Sequence, residues 1–420
     1  MIALNLQKFM PAFTGIRPPY VKNGRNITPI AMNPTEADIK KAIKAEQTAK
    51  AAKDVMEGYN GYAFWLGEDL VVKKYKGKDA FSDDPSREIN MLDSLFDSGL
   101  WFKNSQLGMY AFTDGDSTYL VSTKVDGKEP DSVLSPFTKE NLTSLIEIIS
   151  QMDKGMLSEG SSKNGYSDRV RFMNYDFNGG NIKLTESKAG LFDFEYSVLE
   201  NIDDMIEKTI VRKDTGANCH QSDTSALPSS LRSFEFYTFC PYLNGAKGDV
   251  SELFNDYLAI KGRYHKGMYE FFRDFSKESK FEDIVNEISI HELAHSNLLR
   301  KNADGKVPAD IVLAEASKIQ MSHFMHEQSQ FSDTGVINPK QLKEYTDETV
   351  NFFKICLKRA ESAGDINREV YYRDCLELFE SWQRVNGTLK EKIKRKDPEI
   401  MKKLTEDYAP TLDEKVLKVR

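Results

Sequence analysis

From Thr35 the chain reads TEADIKKAIKAEQTAKAAKDVM, dense in Ala, Lys and Glu and followed by Gly58, which predicts a helix with a defined stop. The runs GYAFWLG and DLVVKKY, turning at Glu68 and Asp69, have the grammar of a β-hairpin. In PSREINMLDSLFDSGL the apolar positions 89, 92, 95 and 96 share one helix face. WFKNSQLGMYAFT and STYLVSTKVDG then read as further strands, NLTSLIEIISQMDKGM restores the helical period, and the rest is mainly helical. Residues 212–232 are polar and without period, which predicts a long surface loop. Past Asn338, two periodic stretches at about 340–362 and 366–383, split by Gly364 and Asp365, predict a helical hairpin. Residues 1–33, rich in Pro, Gly and Asn, predict an extended or loosely docked arm, and LKEKIKRKDPEIMKKLTEDYAP a solvated, mixed-charge tail.

Composition narrows the class. A chain of 420 residues exceeds what one core supports and implies two to three units, here a β-rich unit at 34–130, a helical body at 131–338 and terminal helices at 339–420, preceded by an arm at 1–33. With 40% hydrophobic and 29% charged residues it is globular rather than disordered. A formal charge of -8 provides no basic field for a nucleic-acid backbone, so no nucleic-acid partner is expected. Cys219, Cys240, Cys356 and Cys375 form no CxxC pair and read as free thiols of a reducing, cytoplasmic compartment. The apolar start is broken by Gln7, Lys8 and Pro11 and lacks a basic flank, so neither a Sec signal nor a membrane span is expected. Nothing in the pattern indicates an oligomeric state.

The densest chemistry lies in NYDFNGGNIKLTESKAGLFDFEYS, residues 174–197. Asp176 and Asn181 are five apart across a Gly-Gly loop, and Asp193 follows twelve residues later, after the apolar run GLF. Moving a γ-phosphoryl group needs a carboxylate to orient the attacking hydroxyl and oxygen ligands to hold Mg²⁺ on the phosphates. Asp176 suits the first task, Asn181 and Asp193 the second. The stretch resembles the catalytic loop and metal motif of protein kinases and of the aminoglycoside and choline kinases, with Asp193-Phe194-Glu195 nearer the small-molecule branch. Asn174 and Tyr175 depart from that family's residues before the loop. Upstream, Gly58-Tyr-Asn-Gly61-Tyr-Ala63 resembles a degenerate glycine-rich phosphate loop, and VVKK at 71–74 the strand whose lysine contacts the phosphates. Lys73 is the residue chosen, with Lys74 as alternative. Glu88 matches the helix glutamate that pairs with it, and 118–127 the hinge strand.

That resemblance, spanning roughly residues 55 to 240, implies an α+β, two-lobed protein-kinase-like fold with a small β-rich N-lobe, a helical C-lobe and additional C-terminal helices. It implies ATP and Mg as cofactors, Asp176, Lys73 and Glu88 as catalytic residues, and Gly58, Gly61, Lys73, Asn181 and Asp193 around the nucleotide, with Asn181 and Asp193 on the metal. The substrate would be a hydroxyl of a protein or a small molecule. A chain with this fold and no turnover, a pseudokinase that recruits a partner, is one alternative.

A zinc metallopeptidase is another. Residues 291–295 read His-Glu-Leu-Ala-His, with Glu315 twenty residues beyond His295 and His323 and His326 following. Two histidines one helical turn apart can hold Zn²⁺ while Glu292 activates water. The same histidines sit in an apolar stripe running through Phe281, Ile284, Ile288, Leu298 and Leu299, and the expectation is that they are structural, paired through a buried polar contact with the helix of Glu315 and His326.

Overall fold

Asn23 and Gly24 turn the chain with φ of 52° and 74°, the left-handed conformation that a two-residue hairpin turn demands. They join β1 (Tyr20–Lys22) to β2 (Arg25–Pro29), with Tyr20 opposite Ile27. β2 pairs antiparallel with β6 (Gly108–Asp114). The N-terminal segment is therefore part of a sheet from Tyr20 onward, not a loosely docked arm; its Pro and Gly content obscured an Asn-Gly hairpin signal. The structure, a computed structural model, describes residues 18–58, 61–75, 85–97, 102, 104–157, 169–174, 176–207, 229–331 and 339–380, with backbone alone for 325–331, 339–341 and 345.

The remaining strands are β3 (Met56–Glu57), β4 (Gly61–Leu66), β5 (Leu70–Tyr75) and β7 (Ser117–Thr123), and the sheet runs β1-β2-β6-β7-β5-β4-β3, antiparallel throughout. Helix α1 (Glu36–Ala52) starts with a capping box between Thr35 and Asp38. It buries Ile39, Ala42 and Ala49 against Phe64, Val72, Phe112 and Val121. Helix α2 (Ser86–Asp97) buries Ile89, Leu92 and Leu95, and Leu92 packs so close to β6 that a Cβ on Gly108 would lie 3.0 Å from its own Cβ. A hairpin of β10 (Ile182–Leu184) and β11 (Ala189–Leu191) belongs to the same unit, tied to it by Leu184 N–H to the Lys128 carbonyl at 2.6 Å and Gln106 N–H to the Leu191 carbonyl at 2.7 Å. This unit takes the described residues up to Glu129 together with Asn174–Asp176 and Gly180–Leu199, so it is discontinuous in sequence.

The second unit is mainly helical. It contains α3 (Lys139–Lys154), the short β8 (Met156–Leu157) paired with β9 (Arg169–Asn174), and α4 (Ser230–Phe234), which runs through a π-helical turn (Glu235–Phe239) into α5 (Cys240–Gly245). The long α6 (Ser251–Ser276) and α7 (Glu282–Leu298) follow, then α8 (Ala309–Phe331), α9 (Pro339–Ala363) and α10 (residues 366–380). Gly364, at φ 66°, ends α9, and Asp365 accepts the Arg368 N–H at the start of α10, so the split comes where Gly364 and Asp365 predict it. The polar segment 212–232 does not stay irregular to its end: Ser229 caps α4, which buries Leu231 and Phe234. Its residues before 229, the tail beyond 380 and residues 1–17 lie outside the described residues. Among the described residues no helix is long and apolar enough to cross a membrane.

Candidate active site

Successive residues of a strand point to opposite faces, and β5 uses this to separate its two lysines. Lys74 turns to the α1 face, where its Nζ donates to Glu46 at 2.9 Å beside the ring of Tyr119. Lys73 turns to the α2 face and donates to Glu88 at 2.7 Å, Asp193 at 3.1 Å and Glu195 at 3.2 Å. Lys73 thus bonds Glu88, the pairing the resemblance implies, and also Asp193 and Glu195, which the sequence reading did not foresee, while Lys74 is committed to a different structural task.

Three carboxylates converge on this one ammonium. Glu88 is 1% exposed and is also fixed by the Tyr75 hydroxyl at 2.7 Å, on the same face of β5 two residues from Lys73. One oxygen each of Glu88, Asp193 and Glu195 lies within 4.8 Å of the others. Burial and the Glu88 charge push the Asp193 carboxyl up to about 6 in spite of Lys73. Burial alone would lower the Lys73 ammonium, but Glu88, Asp193 and Glu195 outweigh it and hold the group above its usual value, so it stays charged. Among the described residues, Lys73 is the cation that bonds all three carboxylates.

Asp193 occupies an unusual backbone state, φ 61°. Its N–H donates to Gln106 Oε1 at 2.8 Å, and Gln106 Nε2 donates to Ser122 at 3.2 Å and, more weakly, to Glu88 at 3.5 Å. The β10–β11 hairpin places Ile182 opposite Leu191, and the Phe192 N–H donates to the Asn181 carbonyl at 3.1 Å. Residues twelve apart in sequence, Asn181 and Asp193, thereby flank one hairpin mouth. Asn181 Nδ2 donates to the Asp176 carbonyl and carboxylate, both at 3.0 Å, which fixes the Asp176 side chain and leaves Oδ1 as the atom Asn181 would offer a metal. Asn174 accepts the Asp176 N–H at 2.8 Å, so the residue that departs from the kinase pattern holds the loop from its own side chain. Tyr175 lies outside the described residues.

Gly58 N–H donates to the Gly61 carbonyl at 2.9 Å, closing the β3–β4 turn whose tip, residues 59–60, lies outside the described residues. Gly61 is held by packing: a Cβ there would sit 2.2 Å from the Lys74 carbonyl oxygen of the neighbouring strand. Sequence reasoning assigned no role to Gln106, Tyr75, Asn174 or Glu195. Strand alternation could have found Tyr75, and Glu195 and Asn174 lie inside the motif itself. The Gln106 contact spans 87 positions and has no local signal.

The His-Glu-Leu-Ala-His segment, on α7 in the helical unit, builds something different. His291 Nδ1 and His295 Nε2 meet the two oxygens of one carboxylate, Asp374, at 2.7 and 3.0 Å. Glu292 pairs with His265 Nδ1 at 2.6 Å. Glu315 is buried under Lys261 at 2.8 Å, Lys318 at 2.7 Å and Tyr371 at 2.8 Å. The contact expected with the helix of Glu315 is not the one the histidines make: both meet Asp374 on α10 instead, and the side chain of His326 lies outside the described residues. His323 Nδ1 lies 3.1 Å from the Phe236 carbonyl. Among the described residues, the group of three or more ligand-type side chains close enough to hold one ion is Glu88, Asp193 and Glu195, which excludes His291, His295 and Glu315. Burial lowers His295 to about 4, so it is neutral, while Asp374 overcomes burial to raise His291. Asp374 itself is held below its usual range by the two histidines despite burial.

No family model matches the chain, and no curated protein matches it. Among solved structures, amicoumacin kinase hAmiN in complex with AMP-PNP, Ca2+ and Ami is similar at 12% identity, covering 61% of this chain and 96% of that chain with a TM-score of 0.25. A likeness at that score carries no argument about fold or activity; the side-chain geometry has to carry the functional reading.

Proposed function

We propose that the chain is an ATP- and Mg²⁺-dependent phosphotransferase of the protein-kinase-like fold, acting on a hydroxyl of a protein or a small molecule. The observation that carries this reading is Lys73 bonded at once to Glu88, Asp193 and Glu195, in the same unit as the interlocked Asp176–Asn181 pair. Three carboxylates share one ammonium here, and the Asp193 carboxyl is raised by burial first and by the Glu88 charge second. An all-oxygen, negatively overcharged donor set fits Mg²⁺ with a nucleotide phosphate better than a softer metal.

Asp193 and the Oδ1 of Asn181 would hold the metal, with Glu195 as a further oxygen within reach. When bound, Mg²⁺ would neutralise charge on the phosphate oxygens. Lys73, permanently cationic, would contact the α- and β-phosphates, and Glu88 keeps its ammonium aimed. Asp176, locked by Asn174 and Asn181, would orient the attacking hydroxyl and take its proton. Gly58 and Gly61 would line the phosphate loop. The test is transfer of the ATP γ-phosphoryl group to a protein or alcohol acceptor with and without Mg²⁺. Mg²⁺-dependent transfer supports the proposal, and its absence across both acceptor classes in folded protein contradicts it.

A further inference from the structure

We infer that Gln106 is a positioning residue that sets the carboxylate of Asp193 for its divalent cation by clamping the backbone on both sides of Phe192. This rests on the phosphotransfer reading of the site. Gln106 grips the segment twice: its own N–H donates to the Leu191 carbonyl at 2.7 Å, and its side-chain Oε1 accepts the Asp193 N–H at 2.8 Å. Ser105 adds a third hold, its hydroxyl accepting the Leu191 N–H at 3.0 Å. The approach is so close that a Cβ on Gly190 would lie 2.1 Å from the Asn104 carbonyl oxygen, so only glycine permits it.

The chemistry selects a carboxamide at position 106. Asp193 N–H needs an acceptor, while Glu88 and the Ser122 hydroxyl can accept a donor, and one amide provides both from a single planar group. Leucine would leave the part-buried N–H without this partner. Glutamate would keep that bond but add a fourth carboxylate facing Glu88. The hold matters because Asp193 is a non-glycine residue at φ 61°, a conformation that persists only where its surroundings impose it. Releasing the N–H lets the peptide relax and swings the carboxylate away from Lys73.

The experiment compares wild type, Gln106→Leu and Gln106→Glu by two readouts that need no turnover: Mn²⁺ affinity by calorimetry with a non-hydrolysable ATP analogue, and amide hydrogen exchange at Asp193 in the free protein. Gln106→Leu is expected to weaken Mn²⁺ binding about 10- to 100-fold and to speed exchange at Asp193 with the far-ultraviolet spectrum unchanged. Gln106→Glu should keep the Asp193 N–H protected. A folded Gln106→Leu protein with wild-type Mn²⁺ affinity and wild-type protection overturns the inference and leaves the phosphotransfer reading standing. Wild type that binds no Mn²⁺–nucleotide overturns both.

Discussion

Lys73 and Lys74 are chemically identical neighbours with opposite duties, and each predicts a different failure. Lys73→Met should reduce phosphotransfer by about 100-fold or more, because it removes the cation that orients the phosphates. It should leave the fold standing only if the stranded carboxylates take up protons, so acidification should rescue stability but not activity. Lys74→Met should leave turnover near wild type and cost about 1–2 kcal/mol, since Glu46 keeps Lys50, Tyr62 and Tyr119 as partners. Parallel turnover assays and urea melts separate the two, and loss of turnover in Lys74→Met with retention in Lys73→Met would reverse the assignment. Strand alternation made it legible that the two lysines face opposite sides of β5, but not which of them meets the carboxylates, since Val71 shares a face with Lys73 and Val72 with Lys74 alike. The three-carboxylate crowd was not legible: Glu88, Asp193 and Glu195 are drawn from segments more than a hundred positions apart.

Among the elements, α1 is anchored to the sheet by one buried carboxylate. Glu46, 6% exposed, accepts from Lys74, Tyr62 and Tyr119, which reach it from β5, β4 and β7. Burial works to raise its carboxyl, but bonds from Lys50, Tyr62, Tyr119 and Lys74 prevail and hold it at about 2, below its ordinary 4.5. A depressed carboxylate stabilises the fold fully above its unfolded value and loses that contribution as pH falls from 4.5 toward 2. Glu46→Gln should therefore cost ~2 kcal/mol near neutral pH, and the gap from wild type should close on acidification through that window. Chemical melts across pH measure it; a gap constant down to pH ~2 would show that Glu46 acts through shape alone. The element order from α1 to α3 was readable because each carries a clean period and a cap or turn residue. β1 and β2 were missed although Asn23-Gly24 announces them, since strands of three and five residues show too little alternation to outweigh nearby prolines. The end of 212–232 was misread for a related reason: a five-residue helix carries no period, and Ser229 with Leu231 and Phe234 is its whole signature.

At the scale of the whole molecule, the cluster around Lys73 and the histidine network on α7 differ in the groups they bring together. In the helical unit Asp374 bonds His291 and His295, Glu292 bonds His265, and Glu315 bonds Lys261, which it shares with Glu235, and Lys318. Such a network supports a particular helix arrangement, and among the described residues it holds no three ligand groups close enough to share one ion. Purified protein should carry no stoichiometric zinc, and His291→Ala should lower stability by about 3 kcal/mol by stranding one Asp374 oxygen. One zinc per chain, lost in His291→Ala, would restore the metallopeptidase reading. In the sheet unit the three carboxylates of Glu88, Asp193 and Glu195 share Lys73. This asymmetry, invisible to a motif search that scored both segments as candidate sites, is what favours the cluster around Lys73 as the reacting one.

The central claim is that Asp193 serves a metal–nucleotide and not the fold. Asn is the informative replacement, because it tolerates φ 61° and removes only the charge that Glu88 and Glu195 oppose. The decisive measurement is Mg²⁺-dependent phosphotransfer from ATP by wild type and Asp193→Asn, with thermal unfolding of both. The account predicts turnover reduced by about 100-fold or more at an unchanged or higher unfolding midpoint. A folded Asp193→Asn protein that transfers phosphate at the wild-type rate would contradict it.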